Sequence, residues 1–265
     1  MIVRGGSGLG DSVYLRVVAE YLVSIGKSVS VRTHYPEVFI GSGAATEPFS
    51  KENVDLIAHY HADRSNQRST QWQDILRCAK LPDDLPLRFD WPIKNHALVK
   101  SLRIKAKGRP IIVVQGGRAA FGRVDGIGSD LVPRAAGFAA TLDAMADCFR
   151  VRVGKGEQHY ALPVDLNLHD QTSVSDLIDI VSTCDGVVTQ CGFPVPMAEC
   201  FGVPVLAVWS ARGLVSGQVV VRKITPAKIL TAPTSRYLID EWPAAQIRDA
   251  ARAFVESLEH AEVAA

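Results

Sequence analysis

The chain opens with MIVRGGSGLGDSVYLRVVAEYL (residues 1–22), and this stretch decides how the fold begins. Residues 1–4 form a short predicted strand, four of residues 5–10 are glycine, and apolar residues then recur at helical spacing as far as Ile25. Gly26 closes the predicted helix, and the valine-rich alternation over residues 28–33 predicts a second strand. Strand, glycine turn, helix and strand together form a βαβ unit of a parallel sheet.

The second half of the chain repeats this alternation. Residues 110–114 are a continuous apolar run, as expected of a strand buried on both faces. Further strands are predicted over residues 38–40, 55–59, 149–153, 186–189 and 203–209, and helices over residues 134–147, 173–183, 196–201 and 243–259. Residues 81–92 are rich in proline and read as a connection. The pattern predicts an α/β protein with two Rossmann-like domains and parallel sheets, residues 1–105 and 106–265.

Composition limits the class of protein. Of the 265 residues, 47% are hydrophobic, which supports a packed core. Lys and Arg total 29 against 28 Asp and Glu, so no overall basic field implies a strong grip on nucleic acid. The five cysteines fit no zinc spacing, no signal peptide is recognisable, and no apolar run is long enough to span a membrane. These features predict a cytoplasmic protein with reduced cysteines.

The glycine turn is the first candidate site. Gly6, Gly8 and Gly10 lack Cβ atoms, and the helix start that follows offers free N–H groups to a ligand. Their spacing is G-x-G-x-G and not the dinucleotide pattern G-x-G-x-x-G. Arg32, near the end of the second strand, could nevertheless meet a 2′-phosphate, so an NADP-dependent oxidoreductase remains an alternative. Asp11 is either an ordinary acid of a helix N-terminus or a base at the mouth of a cleft.

Two stretches resemble a known family. Residues 185–209 resemble the nucleotide-sugar half of B-type glycosyltransferases, through Gly192, Pro194, Glu199, Gly202 and Pro204. Residues 8–11, Gly-Leu-Gly-Asp, and residues 168–185 resemble the ADP-heptose:lipopolysaccharide heptosyltransferase family, glycosyltransferase family nine. The family's Asp-[Ser/Thr]-Gly-x-x-His motif is replaced here by Gln190-Cys191-Gly192, with Val195-Pro196 where the histidine would stand.

The resemblance implies a fold, an activity and a set of site residues. The two domains would face each other across a cleft, with the last helix (about residues 243–259) packing back on the first domain. The activity would be inverting transfer of a sugar from a nucleotide-diphosphate sugar to a hydroxyl acceptor, with Asp11 as general base and neither a metal nor a cofactor. Arg118 and Lys155, each just after a predicted strand, are the candidate cations for neutralising the diphosphate. On the resemblance, Gln190, Gly192 and Phe193 would line the base and phosphate region, and Glu199 would bind the ribose.

The acceptor and two other functions stay open. A glycan, a lipid-linked sugar or a modified nucleic acid could each supply the hydroxyl. A non-catalytic nucleotide-sugar-binding protein would keep the fold without the chemistry. His59 and His61 share a face of a predicted strand, as metal ligands can, but two histidines alone do not complete a metal site.

Overall fold

The structure is a computed structural model that describes residues 1–60, 69–116, 132–156, 160–211 and 226–262, with side chains as far as residue 258. In the first half, four parallel strands form a sheet in the order β3-β2-β1-β4. The elements are β1 (Ile2–Arg4), α1 (Leu9–Ser24), β2 (Ser30–Thr33), a 3-10 helix (Pro36–Phe39), β3 (Ala45–Pro48), β4 (Leu56–Ile57) and α2 (Gln71–Ala79). The predicted βαβ opening is confirmed, because β1 and β2 pair in parallel around α1.

The described residues of the second half build a six-stranded parallel sheet in the order β10-β9-β8-β5-β6-β7. The elements are α3 (His96–Ala106), β5 (Ile111–Gln115), α4 (Ala135–Asp143), β6 (Phe149–Arg152), β7 (Leu166–Asn167), α5 (Val174–Thr183), β8 (Gly186–Thr189), α6 (Pro194–Cys200), β9 (Val205–Trp209), α7 (Pro226–Ile229), β10 (Arg236–Ile239) and α8 (Ala244–Glu262). Two parallel sheets with crossover helices confirm the predicted α/β class.

Helices cover both faces of the second sheet, and this explains why its central strands are continuously apolar. Alternate residues of a strand point to opposite faces. Ile111 and Val113 accordingly pack in one apolar cluster with α5 and α6, whereas Ile112 and Val114 pack in another with α4 and α8. Each residue of β5 is therefore buried, whichever way it points.

The first of these clusters is shared by the two halves. It runs from Val3 and Val31 in the first sheet, through the buried face of α1, to α6 and the inner face of the second sheet. Helix α1 packs directly on α6, so the two sheets lie on either side of this helix pair. Burying one common core fixes the orientation of the halves relative to each other.

Two buried charged side chains hold the connection between the halves. The carboxylate of Asp179, which is 0% exposed on α5, accepts hydrogen bonds from Trp91 Nε1 (2.6 Å) and from the backbone N–H groups of Lys94 and Asn95 (2.6–3.1 Å). Arg16 on α1, 1% exposed, donates to the carbonyl of Asp90 at 2.9 Å. The chain of the connection thus satisfies Asp179, whereas Arg16 is paired with Glu20 on its own helix and adds one hydrogen bond to the connection.

The last helix packs in a different place from the one expected. Its buried residues Ile247, Ala251, Phe254 and Leu258 belong to the outer cluster of the second sheet, beside α4 and β10, and that cluster contains only residues of the second half. Its apolar stripe covers the face of the second sheet that α4 leaves open. The helix was expected to reach back to the first half, but as far as Leu258 its buried face lies on the second.

The contacts of α3 lead us to propose a boundary between the halves other than residues 105/106. Helix α3 packs on α5 and β5, so it belongs with the second sheet. We therefore place the crossing in the connection between α2 and α3, residues 80–95.

The predicted strand over residues 38–40 is instead mostly a 3-10 helix with Pro36 in its first turn, where a missing N–H costs nothing.

Candidate functional site

The loop after β1 and the loop after β8 meet at one place, which we call the seam: residues 5–10 and 190–193. A Cβ atom on Gly10 would lie 3.2 Å from Cα of Phe193 and 3.5 Å from Cγ of Pro196. Only a residue without a side chain lets the start of α1 come this close to the start of α6. Strand ends of both sheets thus face the seam, which is where open parallel sheets bind ligands.

Asp11 is the acid of the seam, and the glycine turn is folded around its carboxylate. Oδ2 accepts the N–H of Gly8 at 3.0 Å, so the Asp11 side chain caps the N-terminus of α1. A Cβ atom on Gly6 would lie 2.3 Å from the same oxygen, so any side chain there would force the carboxylate to move. The Asp11 side chain nevertheless keeps 18% of its surface exposed. One carboxylate therefore serves the helix and still reaches solvent.

His59, which follows β4, lies beside Asp11. Its Nε2 is 3.8 Å from Oδ1 of Asp11, and its ring stacks on that of Tyr60 with 4.5 Å between centroids. Burial, and next the positive charge of Arg4, lower the pKa of His59 to about 4. At neutral pH the contact therefore joins a carboxylate to an uncharged imidazole and is not an ion pair. The partner that the sequence suggested for His59, His61, lies outside the described residues.

The predicted donor-loop residues stand at the end of β8. Gln190 is buried, and its N–H donates to the carbonyl of Gln115 at 3.1 Å. The side-chain Oε1 of Gln115 accepts the hydroxyl of Thr189 at 2.9 Å and lies 3.8 Å from where a Cβ on Gly192 would be. Gln115 was missed from the sequence. Its position as the last residue of an otherwise apolar buried strand was the available signal.

Lys155 is exposed in a turn that borders this loop. Gly154 and Gly156 on either side have φ angles of +130° and +88°, which only glycine adopts readily. His169 contacts the carbonyl of Gly156 at 2.7 Å, and Asp170 accepts the N–H of Gly156 at 2.8 Å, so the turn is fixed from β7. A Cβ on Gly154 would lie 3.8 Å from Cγ of Gln115, which connects this turn to Gly192 through one side chain.

Arg118, the second predicted cation for the diphosphate, lies outside the described residues.

Within the part of the chain that the structure describes, no three side chains of His, Cys, Asp or Glu gather as metal ligands would. In the same part of the chain, no helix combines the length and the apolar character needed to cross a bilayer.

Glu199 is held by the chain between α7 and β10. The residue is 7% exposed, and its carboxylate accepts the backbone N–H groups of Thr231 (2.8 Å) and Ala232 (3.1 Å) and the hydroxyls of Ser235 (2.9 Å) and Thr231. A carboxylate offers about four acceptor positions. A ribose hydroxyl would therefore have to displace one of these donors, a constraint that the sequence could not reveal because the partners lie 32–36 residues away.

Tyr14 is a buried phenol on α1. It lies one turn beyond Asp11 on α1, is buried, and stacks on Trp72 at 6.0 Å between centroids. Burial raises the pKa of Tyr14 well above its ordinary value, with further contributions led by Glu199 and including Asp11. Both carboxylates thus disfavour ionisation of the same phenol.

Comparisons with known proteins agree on the fold. No protein-family model matches the chain, and no curated protein matches its sequence. The E. coli ADP-heptose lipopolysaccharide heptosyltransferase II superposes with a TM-score of 0.65 at 12% identity, over 97% of this chain and 99% of that chain. A family 9 glycosyltransferase from Veillonella parvula gives 0.60 at 10% identity, over 97% of both chains. The E. coli heptosyltransferase WaaC, solved with ADP, gives 0.54 at 10% identity, over 97% of this chain and 100% of that chain. The chain therefore has the two-domain B-type glycosyltransferase fold over almost its whole length.

Proposed function

We propose that the protein is a glycosyltransferase that moves a sugar from a nucleotide-diphosphate sugar to a hydroxyl acceptor, with Asp11 as the general base. The observation that carries the proposal is the position of Asp11. It lies where loops of both sheets meet, in a fold shared end to end with an ADP-heptose heptosyltransferase and a family 9 glycosyltransferase. A carboxylate at that place can act on a group bound between the halves.

The geometry of Asp11 suits a base. Oδ2 accepts the N–H of Gly8, the side chain keeps 18% of its surface exposed, and we assign the proton to the other oxygen, Oδ1. In the proposed step the acceptor hydroxyl gives its proton to Oδ1, and its oxygen bonds to the anomeric carbon. The bond from that carbon to the diphosphate oxygen breaks, and the electron pair leaves with the diphosphate. One displacement at the anomeric carbon inverts its configuration, and a positioned base contributes about 10²–10⁴-fold to the rate.

The growing charge on the diphosphate needs positive groups near Gly192. Lys155 is exposed in the neighbouring turn, and its ammonium makes no ion pair within the described residues. The N–H groups of Gly192 and Phe193, at the start of α6, donate to no described acceptor and can bind phosphate oxygens. Arg118 remains a predicted second cation.

The glycine turn favours this proposal over an NADP-dependent oxidoreductase. In a dinucleotide-binding turn the glycines let the diphosphate approach the backbone. Here the Asp11 carboxylate fills the space beside Gly6 and Gly8, so a diphosphate at that turn would meet a negative charge. Arg32, the candidate for a 2′-phosphate, pairs with Glu47 at 3.2 Å instead.

The names of two structural neighbours, which mention ADP-heptose or ADP, support the donor class. We propose a nucleotide-diphosphate hexose or heptose as donor, and a glycan, a lipid-linked sugar or a modified nucleic acid as acceptor. No metal and no cofactor enters the proposed step, which needs only the groups named above.

The test begins with thermal unfolding of the protein in the presence of UDP-, ADP-, GDP- and CMP-sugars. A ligand at a hundredfold excess over its Kd stabilises the folded state by about 2.7 kcal/mol, so the true donor should stand out. Turnover of that donor is then compared between the wild type and D11N, which can still accept the Gly8 N–H. We expect kcat to fall by about 100-fold or more with donor affinity unchanged.

The matched control for D11N is D176N. Asp176 accepts the N–H of Ser173 at 3.0 Å in the first turn of α5, so it has the same helix-capping role away from the seam. D176N should lose stability and keep kcat. Flat unfolding responses to every sugar nucleotide, or full turnover by D11N, would contradict the proposal; donor binding without turnover in the wild type would favour a non-catalytic sugar-nucleotide-binding protein.

A further inference from the structure

His59 and Asp11 come from different elements and are brought together by a missing side chain. A Cβ atom on Gly6 would lie 2.8 Å from Nε2 of His59 and 2.3 Å from Oδ2 of Asp11. The absence of a side chain on Gly6 therefore leaves room for both the Asp11 carboxylate and the His59 imidazole. With Oδ2 bound to Gly8, it is Oδ1, the oxygen assigned above to the proton, that lies 3.8 Å from the imidazole.

The charge of the imidazole matters for a base. Among the described residues, the groups that face His59 include Arg4 at the end of β1, Asp11 on α1 and the stacked ring of Tyr60. Burial and Arg4 hold the pKa of His59 near 4, so the ring is neutral where Asp11 would work. A cation at this distance would lower the proton affinity of the carboxylate, and a neutral ring leaves it intact.

We infer that His59 is a positioning residue for Asp11, whose Nε2 holds Oδ1 of the carboxylate in the orientation that receives the acceptor's proton. The inference rests on the proposed function. The distance of 3.8 Å is longer than a hydrogen bond, and contacts of catalytic groups commonly tighten when substrate binds. A small loss of alignment at a reacting group is costly, since a misplacement of about 1 Å lowers rates about 100-fold.

The competing role for His59 is packing on Tyr60 alone. Two substitutions separate the ring from the nitrogen. H59F keeps an aromatic ring on Tyr60 and removes the polar atom, whereas H59Q removes the ring and keeps a polar NH₂ group at about the position of Nε2. A packing role predicts that H59F is the milder change, and a positioning role predicts the opposite.

The experiment measures kcat, donor Kd and the unfolding temperature for the wild type, H59F, H59Q and H96Q. His96 is exposed at the start of α3, and H96Q controls for the loss of a histidine. We expect H59F to lower kcat about 10- to 100-fold with donor Kd within about twofold, and H59Q to stay within about fivefold of the wild type. In the D11N background, H59F should cause no further loss, because residues that act as a unit are not additive.

Each outcome decides the matter. Wild-type kcat in H59F, or an equal loss of kcat, donor affinity and unfolding temperature in H59F and H59Q, overturns the positioning role and leaves the proposed function standing. Absence of turnover by the wild type with every sugar nucleotide overturns the proposed function, and the positioning role falls with it.

Discussion

The carboxylate of Asp11 occupies the space that a side chain on Gly6 would need, with only 2.3 Å between Oδ2 and the position of such a Cβ. The glycine turn at the start of the chain therefore accommodates the protein's own Asp11 carboxylate. This explains why the glycines are dense but out of register with a dinucleotide site. It also makes Gly6 a sensitive position for testing the role of Asp11.

Replacing Gly6 by alanine should displace the Asp11 carboxylate. Gly6 is not among the glycines with positive φ, so the effect is steric and does not arise from backbone strain. We expect kcat to fall about 100-fold in G6A while donor affinity changes little. G8A is the graded comparison, because its Cβ would lie 3.1 Å from Oδ2 and asks for a smaller shift. Steady-state kinetics with equal kcat in G6A and the wild type would contradict the geometry.

Strands that are buried on both faces could be predicted from the sequence. Residues 111–115 and 205–209 are apolar almost throughout because helices cover both sides of the sheet, and a short apolar run between turn signals is typical of such strands. Several short edge strands were not predicted, although β4 was. β3 and β7 are four and two residues long and lie at sheet edges, where one-sided burial leaves a weak pattern. Helix α2 was not predicted, because the polar residues before Gln71 gave no sign that a helix begins there.

The site was predictable where local sequence determines it. Asp11 follows its glycines directly, and the donor loop lies within a few residues of its strand. What could not be predicted depends on contacts between distant residues. His59 meets Asp11 from another strand, and Glu199 receives its four donors from residues 231–235. The sequence around Glu199 does not indicate which distant loop donates hydrogen bonds to its carboxylate.

The role of Glu199 can be tested by comparing E199A with E199Q. Alanine leaves the N–H groups of Thr231 and Ala232 without their acceptor, so we expect the free energy of unfolding to fall by about 2–4 kcal/mol. Glutamine keeps one oxygen for them and should cost about 1 kcal/mol, with donor Kd within about twofold. Urea unfolding and donor titration give both numbers. A tenfold weaker donor Kd in E199Q at unchanged stability would instead assign the carboxylate to the ribose.

Asp179 is expected to be a strong determinant of how the halves are joined. Asparagine at this position keeps the shape of the side chain but presents an NH₂ group to N–H donors of Trp91, Lys94 or Asn95. D179N should therefore lower the free energy of unfolding by about 3 kcal/mol. W91F removes a single donor and should cost about 1 kcal/mol. Similar urea midpoints for D179N and the wild type would show that the connection is not held in this way.

Lys155 is expected to bind the donor without supporting the fold. It is exposed and makes no ion pair among the described residues, so K155A should unfold like the wild type. Losing a charge-assisted hydrogen bond of about 1.5–3 kcal/mol should weaken binding of the donor and of its free nucleoside diphosphate about 10- to 100-fold. Isothermal titration with the diphosphate measures this directly. K51A, at an exposed lysine in the loop before β4, is the control, and an equal change in both variants would contradict a specific role.

The low pKa of His59 makes stability depend on pH in a defined window. In the unfolded chain the imidazole takes up a proton near its ordinary value of 6.5, whereas in the folded protein it does so only near pH 4. The unfolded state thus binds more protons between these values, and stability falls as pH falls from about 6.5 to about 4. The shift corresponds to at most about 3 kcal/mol, and solvent screening at a side chain 19% exposed reduces it. H59Q cannot take up this proton, so its urea midpoint should fall less than that of the wild type between pH 7 and pH 4.5, and parallel curves for the two proteins would show that His59 is not buried in neutral form.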